Sequence, residues 1–230
     1  MNKKDFFKKT CIAASAIILS LCTVTANAQT SAPDVQTIQK AKDWTASLNL
    51  NDAAKETRVE TVIATHLTAV RDWNNAHPYT QTPAGINPET GNKLSDVDRQ
   101  IIACSTIPAS VHENLMSGLR KDLSTEQVDA ILDKYTVGKV AFTMKGYEAI
   151  VPDLTDTERN VMMTNLEQAR EQAVDYKNMK EISRIFEIYK NKNELYLNTH
   201  GRNWHQLFKD YVNKVKAEKA AKAKEDKASE

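Results

Sequence analysis

Cysteine is scarce in this sequence, with three residues among 230. Cys11 and Cys22 lie in an apolar segment near the N-terminus, which leaves Cys104 alone in the rest of the chain. A single cysteine forms no internal disulfide, so the apolar core has to stabilise the fold. Because Cys104 lies in the apolar sequence QIIACSTIP, we interpret it as a packed core residue rather than a reactive thiol.

Glycine and proline are also few, with six of each. They cluster in HPYTQTPAGINPETG at positions 77–91, which predicts a long loop. Long alternation of apolar and polar residues is missing, and the best strand candidate, GKVAFTM at 138–144, is short. Elsewhere, apolar residues recur every three or four positions, as on a helix with one buried face. The sequence therefore predicts an all-α fold, a single helical bundle of about six to eight helices with one long Pro/Gly loop.

A strong excess of charge of either sign is missing as well, since the formal net charge is +1 at pH 7. Proteins that bind nucleic acid or anionic membrane surfaces carry clusters of Lys and Arg. We therefore predict that neither nucleic acid nor a membrane surface is a partner. After the N-terminal apolar segment, no second run is long enough to span a bilayer, so no integral membrane segment is expected after signal cleavage.

The N-terminus has the pattern of a secretory signal peptide. Lysines precede an apolar run at 11–24, and Ala26 and Ala28 fit the small-residue rule for cleavage after Ala28. We predict a signal peptide at 1–28 and an exported protein, periplasmic or extracellular, with lipid anchoring at Cys22 as the less favoured alternative. The rest is predicted to form a single all-α domain at 29–216 and a charged, disordered tail at 217–230.

Two helices begin with recognisable caps. Ser124 and Gln127 in LSTEQ fit a capping box, in which each side chain bonds the backbone N–H of the other residue. Thr155 and Glu158 in LTDTE fit a second box. The segment 145–175 accordingly predicts a tight KGY loop, a helix start and one long amphipathic helix.

LSTEQ is also similar to the motif of periplasmic helical chaperones of the LTxxQ type, which protect unfolded clients on a cradle of helices. LTDTE departs from that motif, because Arg159 lies near the position of the Gln. The simpler alternative is that both segments only show how a helix begins after a loop. The resemblance implies a chaperone as one alternative function.

A wider resemblance covers most of the chain after the signal segment. The residues that carry it are Lys145-Gly146-Tyr147, the turn at Pro152 to Thr155, Ala169-Arg170-Glu171 and Tyr189-Lys190. On these residues the chain resembles the secreted bacterial family known as domain of unknown function 3826. The family's Gly-Arg pair near 191–192 and its Gly/Ser turn near 177–178 are missing here. The resemblance implies no settled activity, but it implies a gram-negative source and a setting beside genes for plant cell-wall polysaccharide use.

No residue pattern in the chain names a reaction. His112-Glu113 starts like a zinc-protease helix, but Met116 stands where the second His is required. A serine-nucleophile elbow and a Gly-rich phosphate loop are also missing from the sequence. We therefore predict no catalytic residues, no metal site and no cofactor. The missing catalytic motifs argue against an enzyme. An enzyme that acts on polysaccharides is kept as an alternative.

We predict a binding site from aromatic and charged side chains that lie at helix ends or beside loops. Its centre is the KGY loop, where Gly146 permits a turn, Lys145 adds a cation and Tyr147 adds a ring. Arg170 and Glu171 are alternatively a buried pair that holds this loop on the long helix. The predicted binding residues are Lys145, Tyr147, Arg170, Trp73, His77, His112 and Trp204. The favoured function is a non-catalytic accessory or binding protein of polysaccharide utilisation, with a plant-type glycan or a protein as its partner.

Overall fold

The computed structural model describes residues 31–88 and 90–228, so the predicted signal peptide lies outside the described residues. Within those ranges the chain forms nine α-helices and no β-strand, which confirms the all-α prediction with one helix more than expected. None of these helices is long and apolar enough to cross a membrane. The helices in chain order are α1 (Val35–Ala46), α2 (Ala53–Ala76), α3 (Asp96–Cys104), α4 (Ala109–Asp122), α5 (Thr125–Thr136), α6 (Lys139–Ile150), α7 (Asp156–Ala173), α8 (Met179–Thr199) and α9 (Trp204–Ala228).

Both predicted capping boxes are present. At the start of α5, the backbone N–H of Ser124 donates to Gln127 Oε1 at 3.0 Å, and the N–H of Gln127 donates to Ser124 Oγ at 3.3 Å. Thr155 and Glu158 form the same reciprocal pair before α7. These bonds satisfy N–H groups that the first turn of a helix leaves without partners.

The predicted KGY loop is wrong, because residues 145–147 lie inside α6. Three side chains of this helix, Val140, Met144 and Tyr147, are buried at the helical spacing of four and three residues. Their burial outweighs the penalty of about 1 kcal/mol for a glycine in a helix interior. The strand candidate GKVAFTM overlaps α6 and is helical for the same reason.

The long Pro/Gly loop is present between α2 and α3, and hydrogen bonds hold it against α3. It contains a 3₁₀ turn at Tyr79–Gln81. The N–H of Tyr79 donates to Gln100 Oε1 at 2.7 Å, and the guanidinium of Arg99 donates to the carbonyl of Thr82. The connection therefore packs on the bundle.

The core consists of two clusters of buried side chains. The first lies among α1, α2, α4 and α5 and includes Ile63. The second lies among α3, α6, α7 and α8 and includes Leu166. The end of α7 connects them, because Ala173 belongs to the second cluster and Val174 to the first. Cys104 is buried in the second cluster, as its apolar sequence setting indicates.

The last helix differs from the predicted tail. Helix α9 continues through residues 217–228, where the composition predicted disorder. Its sequence is rich in Ala, Lys and Glu, which are strong helix formers, and Lys214 and Glu218 form an i,i+4 ion pair at 4.0 Å. Local propensity thus explains why the helix continues although residues 217–224 are exposed.

Candidate functional site

A groove of about 640 Å³ lies between α6, α8 and α9. Rings dominate its lining, with Phe142 and Tyr147 from α6 and Trp204, Phe208 and Tyr211 from α9. Phe142 is 78% exposed and Phe208 is 47% exposed. Concave apolar surfaces that combine rings with a few polar groups are typical ligand sites, so this groove is the candidate binding site.

The aromatic wall follows from the spacing of residues on α9. Trp204, Phe208 and Tyr211 recur at intervals of four and three residues and therefore share one face. The Trp204 ring centroid lies 5.2 Å from that of Tyr147 and 6.0 Å from that of Phe208. The hydroxyl of buried Tyr147 donates to the backbone carbonyl of Lys190 at 3.2 Å, which joins α6 to α8. Burial raises the pKa of Tyr147, so this hydroxyl remains a donor.

Three charged residues line the groove, namely Lys145 of α6 and Lys190 and Glu194 of α8. Burial raises the pKa of Glu194, and the charge of Lys190, one turn earlier, opposes that effect. Lys145 is exposed, and no described residue forms an ion pair with it.

Of the predicted binding residues, His112 lies in a different polar cluster, where α2, α4 and α7 meet. Asp175 accepts hydrogen bonds from His66 Nε2 at 3.0 Å and from His112 Nδ1 at 2.9 Å. His112 Nε2 also lies 3.5 Å from Glu171 Oε1. We call these four residues the Asp175 cluster. It joins three helices, and no group of His, Cys, Asp and Glu in the described ranges has an arrangement that could hold a metal ion.

Mutual hydrogen bonding shifts the pKa values in the Asp175 cluster. The hydrogen bond to Asp175 raises the pKa of His112 above its ordinary 6.5, although burial opposes this. Burial acts to raise the pKa of Asp175, but the hydrogen bonds from His112 and His66 together hold it below its ordinary value. His112 and Asp175 therefore form an ion pair when His112 is protonated, and this pair links α4 to the end of α7.

Arg170 does not line the groove and does not pair with Glu171, so the predicted pair is wrong. Its guanidinium donates to Asp129 Oδ1 at 2.5 Å and to Asp133 Oδ1 at 3.0 Å, both on α5. Successive residues of a helix point in different directions, which sends Arg170 towards α5 and Glu171 towards His112. Arg170 therefore holds α7 on α5.

Trp73 and His77 also lie outside the groove lining. Their rings stack at the C-terminal end of α2, with centroids 3.9 Å apart. The backbone N–H of His77 donates to the carbonyl of Trp73, and Gln100 Nε2 donates to the carbonyl of His77. This pair terminates α2 against α3. Of the predicted set, only Lys145, Tyr147 and Trp204 line the groove.

The lining residues that the sequence-based prediction missed include three rings and the acidic residue of the groove: Phe142, Phe208, Tyr211 and Glu194. The aromatic spacing in WHQLFKDY was a visible signal, because a second and third ring follow Trp204 on one helical face. Glu194 had no such signal, since its role depends on how α8 packs beside α9.

Fold and site together define an all-α protein with a ring-lined groove. The sequence matches the family model described as protein of unknown function (DUF3826) over residues 35–217. The chain therefore belongs to this family, which confirms the resemblance noted in the sequence. The matched range begins with α1 and includes every residue that lines the groove. A comparison with curated proteins found no match.

Proposed function

We propose that this protein is a non-catalytic binding protein that holds a glycan in the groove between α6, α8 and α9. The observation that carries the proposal is the row of rings, Trp204, Phe208 and Tyr211, that faces the groove. An aromatic ring offers the flat apolar surface on which the C–H face of a sugar stacks, while polar groups at the rim accept or donate to hydroxyls. The setting beside polysaccharide genes, implied by the family resemblance, agrees with this ligand class.

The number of acidic residues in the groove favours binding over hydrolysis. Glycosidases use two carboxyl groups about 5–10 Å apart on either side of the scissile bond. Glu194 is the sole acidic residue among the described residues that line the groove. An enzyme of polysaccharide breakdown stays an alternative, and turnover of a bound saccharide is its test.

A chaperone also stays an alternative, but the structure offers a simpler explanation for the LTxxQ-like segments that suggested it. Ser124, Gln127, Thr155 and Glu158, which gave the LTxxQ likeness, are engaged in the capping boxes of α5 and α7. Helix initiation therefore accounts for these motifs without a client.

The proposal is tested by thermal unfolding of the purified protein with a panel of plant oligosaccharides. A ligand at a hundredfold excess over its Kd adds about 2.7 kcal/mol and raises Tm by several degrees. We expect one saccharide class to do so. The shift should be lost in Trp204→Ala and Phe208→Ala, and kept in the matched control Trp73→Phe, whose ring lies outside the groove.

Phe208 is half exposed, so its truncation separates a binding defect from a folding defect. The proposal fails if no saccharide shifts Tm, or if the shift persists in both groove variants.

A further inference from the structure

We infer that the groove selects an acidic saccharide, with a sugar ring against the bare backbone at Gly146 and its carboxylate paired with Lys145. This inference rests on the proposed function and adds to it the charge of the ligand and the place where the ring lies. Gly146 and Lys145 carry it independently, the first through shape and the second through charge.

The fold provides no reason for a glycine at position 146. Gly146 lies inside α6, and its φ is not among the positive values that favour glycine. A Cβ atom built on it would meet no heavy atom within 4 Å. Glycine in a helix interior is less favourable than alanine, so this position loses stability without any packing benefit inside the chain. A ligand that approaches the backbone closely would explain the missing side chain.

The neighbours of Gly146 give the space the shape of a slot. Phe142, Gly146 and Ala149 follow the four-and-three spacing of one helical face, and all three line the groove. Trp204 and Phe208 line it from α9. One wall thus has small side chains in its middle and the other has rings, which suits a flat ligand ring between them.

The charges of the groove favour an anion. Two lysines, Lys145 and Lys190, and one acidic residue, Glu194, are the charged residues among the described residues that line the groove, so cations outnumber anions there. Lys145 is exposed, and no described residue forms an ion pair with it. Lys145 directly precedes Gly146 in the wall, so its ammonium group is available beside the proposed ring position. A uronic acid combines a sugar ring with a carboxylate, and a charge-assisted hydrogen bond to that carboxylate stabilises the complex.

The ligand test uses trimers of galacturonate, glucuronate and mannuronate, each compared by calorimetry with its methyl ester. Esterification keeps the rings and removes the charge. We expect at least one acid to bind roughly tenfold more tightly than its ester. Since salt screens exposed charges, this preference should shrink as the ionic strength rises from about 0.1 M to 1 M.

Two variants locate the contacts. Lys145→Gln should abolish the preference for the acid over the ester, while Lys42→Gln, an exposed lysine of α1 outside the groove, should keep it. Gly146→Ala should raise Tm by about 2–4 °C through its helix propensity. The same variant should weaken binding of the acid by about tenfold, because its methyl group occupies the ring position. A glycine needed only by the fold would lower Tm instead.

These measurements distinguish glycan binding in general from a preference for acidic glycans. Equal affinity for acids and esters overturns the inference but leaves a glycan-binding groove. Unchanged affinity in Gly146→Ala overturns the position of the ring. If no acidic or neutral saccharide binds, the proposed function and the inference fail together.

Discussion

At the scale of single residues, glycine has opposite roles at two helical positions. At Gly146 an added Cβ would meet open space, whereas at Gly118 in α4 it would lie 2.7 Å and 2.9 Å from the two Cγ atoms of Val62 in α2. Val is stiff about χ1 in a helix, so it cannot easily move away. Gly118 therefore permits the close approach of α4 to α2.

We predict that Gly118→Ala lowers the free energy of unfolding by about 1–3 kcal/mol, because overpacking outweighs the gain in helix propensity. Urea unfolding with an unchanged m-value measures it. Adding Val62→Ala should recover part of the loss that Gly118→Ala causes. A neutral or stabilising effect of Gly118→Ala would contradict the close contact.

His112 gives a second residue-scale prediction, on pH. Because the folded pKa of His112 is raised above 6.5, its ion pair with Asp175 stabilises the fold fully below that pH and fades as pH rises through the folded pKa. The pKa of Asp175 is lowered, so its contribution is lost as pH falls below about 4. The stability difference between wild type and His112→Gln should therefore be largest near pH 4–6.5.

Urea unfolding of both proteins at pH 5.5 and pH 8.5 measures this difference. A His112→Gln variant that loses the same stability at both pH values would exclude the proton-linked ion pair.

At the scale of elements, the start of α7 and the start of α9 are joined by Arg202. Its guanidinium donates to Glu158 Oε1 at 2.6 Å and Oε2 at 2.9 Å, and to Asp153 Oδ1 at 2.9 Å. Hydrogen bonds from Arg202 lower the pKa of Glu158 to about 2. The same carboxylate closes the capping box with Thr155. One buried glutamate thus caps α7 and anchors the helix that carries the aromatic wall.

We predict that Arg202→Gln loosens α9 more than the rest of the bundle. Amide hydrogen exchange should accelerate in residues 204–212 and change little in α1–α5, because α9 has few other contacts with the bundle. Arg58→Gln is the matched control, since it removes an exposed ion pair with Asp122 on another face. Uniform acceleration across the chain would instead indicate global destabilisation.

Helix starts were predictable from sequence because their determinants are local. Ser124 and Gln127 lie three residues apart, and nothing beyond that turn is needed to recognise the box. The KGY segment misled the prediction because glycine signals a turn in isolation, whereas burial of Met144 and Tyr147 decides for a helix. In the described part of the last segment, residues 217–228 are helical, and helix propensity rather than burial accounts for this.

At the scale of the whole molecule, the site could be predicted only in part. Lys145 and Tyr147 were found because they are neighbours, and Trp204 because it is a large ring near a helix end. Their meeting depends on α9 packing against α6. Neither that packing nor the choice of Asp129 and Asp133 as partners for Arg170 is encoded in local spacing.

The two core clusters raise the question of whether the chain unfolds in one step. Ala173 and Val174 place one helix end in both clusters, and the Asp175 cluster ties that same end to α2 and α4. Opening either cluster therefore disturbs the other. Coupling of this kind favours a single cooperative transition, as in one domain.

We predict that Leu119→Ala in the first cluster and Leu166→Ala in the second each lower stability by about 2–5 kcal/mol while unfolding stays a single transition. Both leucines are 0% exposed. Far-UV circular dichroism reports all helices. Fluorescence reports Trp44 beside the first cluster, Trp204 beside the second and Trp73 at the end of α2. The curves from the two probes should coincide in wild type and both variants. Separate transitions in either variant would show two independently folding halves instead of the single domain expected from the sequence.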